Sequence, residues 1–236
     1  MKLPVPKFNW LWRIPLFAFL GVCALLLIFR WLPIPTSAFM LSQNIDALFD
    51  SNVPFVRHEW TPMERIPYSM RLAVIASEDQ NFPVHWGVDV EATKAAIAAE
   101  LHGQKTGGGS TLTQQVAKNL FLWQGRSYAR KGLEWGLAGL IEVFWPKERI
   151  LEVYLNIAQF SKADYGVGAA SANLFRKPVE RINSNDAALL AAVLPAPSQF
   201  SAVKPSKYIR ARQRYVLRQM RYLGGRNYLA TLQQPD

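Results

Sequence analysis

Apolar residues along the chain recur mainly with the three- to four-residue spacing of α-helices. One apolar stripe leads through Met70, Val74 and Ile75 to Glu78. Further helical stripes comprise Leu137, Leu140, Ile141 and Phe144; Ile150, Val153, Tyr154 and Ile157 after Pro146; residues 187–194 after Asp186; and Tyr208, Ile209, Tyr215, Val216, Met220 and Leu223. No clear series of alternating strands appears, so the pattern predicts a mainly α-helical domain.

A different, uniformly apolar run lies near the amino terminus. Residues 14–29 carry no charge, and with Trp31 and Leu32 the run approaches the roughly 20 residues that span a bilayer. Basic residues precede the run and none of residues 31–45 is charged, which places the amino terminus in the cytoplasm and the remainder outside. A cleaved signal peptide is the alternative, but the length of the run favours an uncleaved anchor.

The predicted organisation has five segments. These are a cytoplasmic tail at 1–13, a transmembrane anchor at 14–32, a juxtamembrane segment at 33–54, the main domain at 55–225 and a carboxyl-terminal tail at 226–236.

Composition narrows the classes of partner. The 27 basic and 17 acidic residues give a net charge of +10, which favours an anionic partner: nucleic acid, anionic lipid or a phosphorylated substrate. Cys23 is the only cysteine, and His58, His85 and His102 lack the spacing of metal ligands. The sequence therefore predicts no disulfide framework and no zinc site.

Glu78 is the first candidate for chemistry. It follows Val74 and Ile75 by one helical turn, so its carboxyl group lies at the end of a stripe that faces the core. A partly desolvated carboxylate is a better general base than a fully solvated one. The alternative is that Glu78 and Asp79 only end a helix, and periodicity by itself favours that interpretation.

The segment after residue 106 has features of an anion site. Gly107, Gly108 and Gly109 precede Thr111 and Gln114, which have capping-box spacing, so a helix is predicted to begin here with free amides. The polar and basic residues that follow are Gln115, Lys118, Arg126, Arg130 and Lys131. Together they could hold a pyrophosphate, although a glycine turn followed by a solvated basic face explains the same residues. No lysine directly follows the glycines, which excludes a normal P-loop.

Glu134 and Glu142 lie eight residues apart and are predicted to share one helix face. A second carboxylate beside the first is common in glycosyl chemistry. Salt bridges from Arg130 or Lys131 to these glutamates are an equally good explanation.

Taken together, these stretches resemble the peptidoglycan glycosyltransferases, the family that includes the transglycosylase domain of bifunctional penicillin-binding proteins and the monofunctional enzymes. The resemblance covers roughly residues 55–225. Its motifs are Glu78-Asp79-x-x-Phe82-x-x-His85-x-Gly87, Gly109-Ser110-Thr111-x-Thr113-Gln114-Gln115 with Lys118-Asn119, Arg130-Lys131-x-x-Glu134, and Arg149-Ile150-Leu151-Glu152-x-Tyr154-Leu155-Asn156. Length, one predicted anchor and no transpeptidase domain are typical of the monofunctional branch.

The resemblance implies a lysozyme-like, two-lobed helical fold and inverting polymerisation of lipid II outside the cytoplasmic membrane. It implies catalytic roles for Glu78, as the base, and for Glu134. It implies substrate-binding roles for Asp79, His85, Ser110, Thr111, Gln114, Gln115, Lys118, Arg126, Arg130 and Asn156. Lys118 and Arg126 would stabilise the departing diphosphate.

The expected partners are lipid II, the growing glycan strand and membrane lipid, with no nucleic acid. Transpeptidases and divisome proteins stay open as protein partners. No organic cofactor is expected, and a divalent cation near the diphosphate stays open. Two other functions are compatible with parts of the sequence: a lysozyme-like glycan hydrolase, and a non-enzymatic basic membrane-binding protein.

The chain departs from the family pattern in two places. A basic residue common in the family would align with Ala95, whereas Lys94 lies one place earlier and about 100° around the predicted helix, so the role of Lys94 stays open. The second departure is a loop. Where relatives usually show Phe-Gly and a nearby glycine, residues 160–166 read Phe160-Ser161-Lys162-Ala163-Asp164-Tyr165-Gly166. We therefore expect a stiffer or rerouted loop at this position.

Overall fold

The computed structural model describes residues 13–102, 109–125 and 127–233, and in these residues the protein is mainly helical, as predicted. The helices are α1 (Arg13–Ile28), α2 (Ala38–Phe49), α3 (Tyr68–Glu78), α4 (Val90–Leu101), α5 (Leu112–Phe121), α6 (Tyr128–Phe144), α7 (Lys147–Ile157), α8 (Val167–Ala170), α9 (Ser184–Val193), α10 (Lys207–Tyr222) and α11 (Arg226–Ala230). Short 3-10 turns lie at Met63–Arg65, Val179–Arg181 and Thr231–Gln233, and a π-helical turn lies at Ser171–Phe175.

Two groups of helices build the core. In one group α3, α9 and α10 pack together, and in the other α5 packs against α6 and α7. Helix α9 is buried at every position from Ala187 to Val193, which fits a helix that is apolar all round. Asp79, which caps the carboxyl end of α3, accepts a hydrogen bond from the amide of Leu112, the first residue of α5. The first group of helices contacts the second at this point.

The only strands in the described residues are two short parallel ones. β1 (Arg57–His58) pairs with β2 (Asp164–Tyr165), in the register Arg57 to Asp164. The carboxylate of Asp164 is fully buried and accepts two hydrogen bonds from the Arg57 guanidinium, at 2.8 and 2.9 Å. This pairing ties down the loop that departs from the family pattern.

The amino-terminal run forms α1, which packs against α6. Within the residues that the structure describes, no helix combines the length and the apolar character required to cross a membrane. The predicted juxtamembrane segment contains α2, which Ser37 caps by accepting a hydrogen bond from the Met40 amide.

The predicted carboxyl-terminal tail is folded as far as residue 233. Helix α11 packs against α3, and the following 3-10 turn packs against α7. The hydroxyl of Tyr228 donates to the Gln80 carbonyl oxygen at 2.5 Å, and Leu232 is buried. These contacts hold the last described residues of the chain against the carboxyl end of α3 and against α7.

Candidate active site

Glu78 is the last residue of α3, and 14% of its side chain is exposed. The Gln115 amide nitrogen donates to Oε2 at 3.1 Å, and the Ser77 hydroxyl donates to Oε1 at 3.0 Å. The Arg212 guanidinium lies 3.7 Å from Oε1. Both carboxylate oxygens therefore face donors, an arrangement that suits the ionised form.

The Glu78 carboxylate lies at the edge of an open cleft of about 810 Å³. The lining residues come from four parts of the chain: Ser77, Glu78, Gly109, Ser110, Gln115, Pro195, Tyr208, Ala211, Arg212 and Tyr215. Helix α10 supplies one wall of this cleft while it buries Ile209, Val216 and Met220 in the core. The basic helix α10 therefore lines the cleft as well as forming a charged surface.

The capping box predicted at the start of α5 is present. Thr111 accepts a hydrogen bond from the Gln114 amide, and the Gln114 side chain accepts one from the Thr111 amide. Both side chains are buried, and the Thr111 hydroxyl donates to the Gly87 carbonyl oxygen at 2.5 Å. Thr111 and Gln114 therefore fix the start of α5 from inside the protein and do not line the cleft.

The expectation that α5 begins with free amides is wrong for two of them. The Leu112 amide donates to Asp79 Oδ2 at 2.9 Å, and the Gln114 amide donates to Thr111. The carboxylate of Asp79 already provides the negative charge that a helix amino terminus favours. His85 Nε2 lies 3.0 Å from both Asp79 oxygens, and both side chains are almost fully buried. We interpret Asp79 as the residue that joins α3 to the start of α5, and His85 as the residue that holds the Asp79 carboxylate in place.

Lys118 is a partly buried cation whose amine lies over the Phe39 ring, 5.8 Å from the ring centroid. It lies on α5, three residues after Gln115, and its amine makes no hydrogen bond or ion pair with the described residues. Burial lowers the pKa of Lys118, the positive charges of Arg130 and Lys131 lower it further, and the charge of Glu134 acts in the opposite direction. An unpaired, partly desolvated ammonium favours binding of a phosphate group.

Glu134 is buried and carries two ion pairs. Arg130 donates to Oε2 at 3.1 Å and Lys131 donates to Oε1 at 2.5 Å. Lys131 also donates to the Ser110 hydroxyl at 2.9 Å, so it connects Glu134 to the cleft. The salt-bridge interpretation of Glu134 is confirmed, and its geometry suits the positioning of cations better than proton transfer. Glu142 makes no ion pair with Arg130 or Lys131 among the described residues. Its Oε1 accepts hydrogen bonds from the Thr113 hydroxyl at 2.6 Å and from the Lys147 amine at 2.7 Å.

Comparison with known proteins decides the family. Residues 49–221 match the family model described as transglycosylase. The chain belongs to the transglycosylase family. The match confirms the resemblance that the motifs indicate.

Similar proteins that match over most of their length support the assignment. A biosynthetic peptidoglycan transglycosylase of Cronobacter sakazakii is 51% identical over 215 residues, which cover 90% of this chain and 89% of the relative. Proteins with the same description from Yersinia pestis and Pseudomonas entomophila are 47% and 48% identical, over 94% and 90% of this chain and 95% and 90% of their own lengths.

One predicted binding residue of the transglycosylase lies in its core. Asn156 is completely buried, and its amide nitrogen donates to the carbonyl oxygens of Thr61 and Glu152, at 2.9 Å each. Its Oδ1 accepts from the Thr61 amide at 2.7 Å. All the hydrogen-bonding groups of the side chain are occupied, so we interpret Asn156 as a residue that ties α7 to the segment after β1. Arg126 lies outside the described residues.

Several residues of the transglycosylase cleft were not predicted. Ser77 and Arg212 flank Glu78, and Tyr208 and Tyr215 line the cleft. Behind the cleft, the buried Tyr154 reaches Gln115. The Tyr154 hydroxyl donates to Gln115 Oε1 at 3.2 Å. In the described residues no group of three or more histidine, cysteine or acidic side chains is placed to hold a metal ion.

Proposed function

We propose that this transglycosylase polymerises peptidoglycan glycan strands from lipid II. The position of Glu78 carries the proposal, because its carboxylate is mostly buried, accepts hydrogen bonds at both oxygens and still borders the cleft. A carboxylate in these surroundings is suited to take a proton from a sugar hydroxyl. Family membership and the names of the relatives support the same reaction class.

The proposed reaction is a single displacement. Glu78 removes the proton from the acceptor hydroxyl as its oxygen attacks the anomeric carbon of the donor sugar. A new glycosidic bond forms, the bond to the lipid diphosphate breaks on the opposite face, and the configuration inverts. The diphosphate leaves with both bonding electrons, and the proton stays on Glu78 until it passes to solvent.

Positive charge beside the cleft is the second part of the proposal. Lys118 would stabilise the charge that develops on the leaving diphosphate, while Glu134 holds Arg130 and Lys131 in place. Arg126 is proposed for the same role by its motif alone. Ser110 and Gln115 line the cleft and are proposed to contact sugar or diphosphate oxygens.

The lysozyme-like, two-lobed arrangement and the membrane topology belong to the proposal too. Helix α1 exposes large apolar side chains, Phe17 and Leu20 among them, which suits lipid contact. We place the anchor at 14–32, the amino terminus in the cytoplasm and the catalytic domain outside the inner membrane. Transpeptidases or divisome proteins are proposed only as a class of protein partner.

Removal of the base tests the function. With labelled lipid II as substrate, we expect the wild type to make glycan polymer and Glu78→Gln to lose about a hundredfold or more in rate. Glu64→Gln, which neutralises an exposed glutamate, is the matched control and should keep full activity. Polymer formation by Glu78→Gln at the wild-type rate would exclude Glu78 as the base.

The same experiment separates the two other functions. Short soluble fragments released from preformed glycan, without any polymer from lipid II, would establish a hydrolase. If the wild type acts on neither substrate, the non-enzymatic membrane-binding function gains support.

A further inference from the structure

Gln115 connects the proposed base to a tyrosine in the core. Its amide nitrogen lies 3.1 Å from Glu78 Oε2, and its amide oxygen lies 3.2 Å from the Tyr154 hydroxyl. Tyr154 belongs to α7 and is 1% exposed, whereas Gln115 belongs to α5. The three groups form a chain from the core to the edge of the cleft.

The direction of this chain follows from donor and acceptor chemistry. The Gln115 oxygen can only accept, so Tyr154 must donate to it. The NH₂ group then points at Glu78 and stabilises a negative carboxylate. If the amide turned over, its oxygen would lie against Glu78 Oε2, and two acceptors at that distance repel each other unless the carboxyl group is protonated.

Tyr154 is well suited to be a permanent donor. Burial raises the pKa of Tyr154 well above its ordinary value, and the charges of Glu78 and Asp79 add to this effect. The hydroxyl therefore keeps its proton throughout the pH range in which a transglycosylase works. Loss of that proton would leave the Gln115 oxygen facing an anion.

We propose that Tyr154 is a positioning residue that holds the Gln115 amide with its NH₂ group toward Glu78 and so keeps the base in its ionised, reactive form. The inference rests on the proposed function, in which the ionised carboxylate of Glu78 accepts the proton of the acceptor hydroxyl. It makes Tyr154 act through Gln115 and not by contact with the substrate.

The substitution Tyr154→Phe tests the inference, because it removes only the hydroxyl. The Gln115 amide then becomes free to turn over, which favours a protonated carboxyl group. We expect the acid limb of the kcat/KM profile for lipid II polymerisation to move to higher pH by about half a unit to one unit. Within the shifted acid limb, kcat should fall several-fold with little change in KM, whereas near neutral pH the rate should stay close to that of the wild type.

Two further variants make the result specific. Tyr165→Phe is the matched control, because Tyr165 is another buried tyrosine whose hydroxyl donates to a glutamine, Gln43 Oε1 at 2.8 Å. It should leave the acid limb unchanged even if it lowers the melting temperature. In a Gln115→Met background, Tyr154→Phe should produce no additional shift, because the intermediate group is absent.

The outcomes are distinct. The positioning role is overturned if the acid limb does not move in Tyr154→Phe, or if it moves by the same amount when Gln115→Met is present. In that case, polymerisation by the wild type and by Tyr165→Phe still upholds the proposed function. Absence of polymer with the wild type overturns the proposed function and this inference with it.

Discussion

Lys118 shows how burial sets the working range of a single charge. Its pKa is lowered chiefly by burial, and Arg130 and Lys131 lower it further. As pH rises, the free enzyme therefore loses this charge earlier than an ordinary lysine, whose pKa is about 10.4. A bound diphosphate would favour the charged form, so the effect belongs to the free enzyme.

This shift predicts an alkaline limit for donor capture. We expect kcat/KM to fall with rising pH at a pH below the ordinary lysine pKa, because the uncharged amine no longer attracts the diphosphate. Lys118→Arg should move this limb upward, since arginine keeps its charge, and Lys118→Met should lower kcat/KM about a hundredfold at neutral pH. Lys94→Arg, at an exposed lysine paired with Glu91, is the control and should leave the profile as it is. An alkaline limb that stays in place in Lys118→Arg would rule out Lys118 as its source.

Local spacing predicted those positions in the site that depend only on near neighbours in the chain. Glu78 at the end of its stripe and the capping box of Thr111 and Gln114 are examples. Spacing could not distinguish a side chain that binds substrate from one that binds the protein itself, and Asn156 illustrates this limit. Arg212 was also missed as a site residue, because it approaches Glu78 from a helix that lies 134 positions further along the chain.

At the scale of elements, the longer helices with apolar stripes or apolar runs were predicted well and short elements were not. α3, α6, α7, α9 and α10 coincide with the apolar stripes. The strands β1 and β2 have two residues each, which is too short for any period to be visible. What places them is the ion pair between the buried carboxylate of Asp164 and the exposed guanidinium of Arg57, together with Gly166 at the end of the loop.

Gly166 gives this loop its most sensitive position. Its φ is +81°, and a Cβ built there would lie 2.5 Å from the Asn156 carbonyl oxygen. We expect Gly166→Ala to lower the free energy of unfolding by about 2 to 4 kcal/mol, through backbone strain and the overlap with α7. Chemical denaturation measures the change. Gly136→Ala is the matched control: it lies in α6 with open space around it, so alanine should be neutral or stabilise by up to about 1 kcal/mol. Equal effects at the two glycines would contradict this account.

At the scale of the whole molecule, α1 is joined to the domain through its last carbonyl groups. The Trp145 indole donates to the Leu26 oxygen at 2.6 Å, and the Arg149 guanidinium donates to the Phe29 oxygen at 2.8 and 3.0 Å. These donors satisfy carbonyls that the end of a helix leaves without partners. The sequence indicated the apolar run but not this docking, because its partners lie more than 110 residues away. The docking sets the direction in which α1 leaves the catalytic domain.

The proposed topology can be tested with the single cysteine of the chain. In a Cys23→Ser background, a cysteine introduced by Lys2→Cys is expected on the cytoplasmic side, because basic residues precede the apolar run. A cysteine introduced by Lys204→Cys, at an exposed position of the domain, is expected outside. A membrane-impermeant maleimide applied to intact spheroplasts should label the second variant at once and the first only after the membrane is opened. Cys23→Ser alone should remain unlabelled and serves as the background. Labelling of both variants in sealed spheroplasts would place both ends of α1 on the same side and remove the anchor from the proposal. Protection of Lys204→Cys would place the catalytic domain in the cytoplasm, away from the growing glycan.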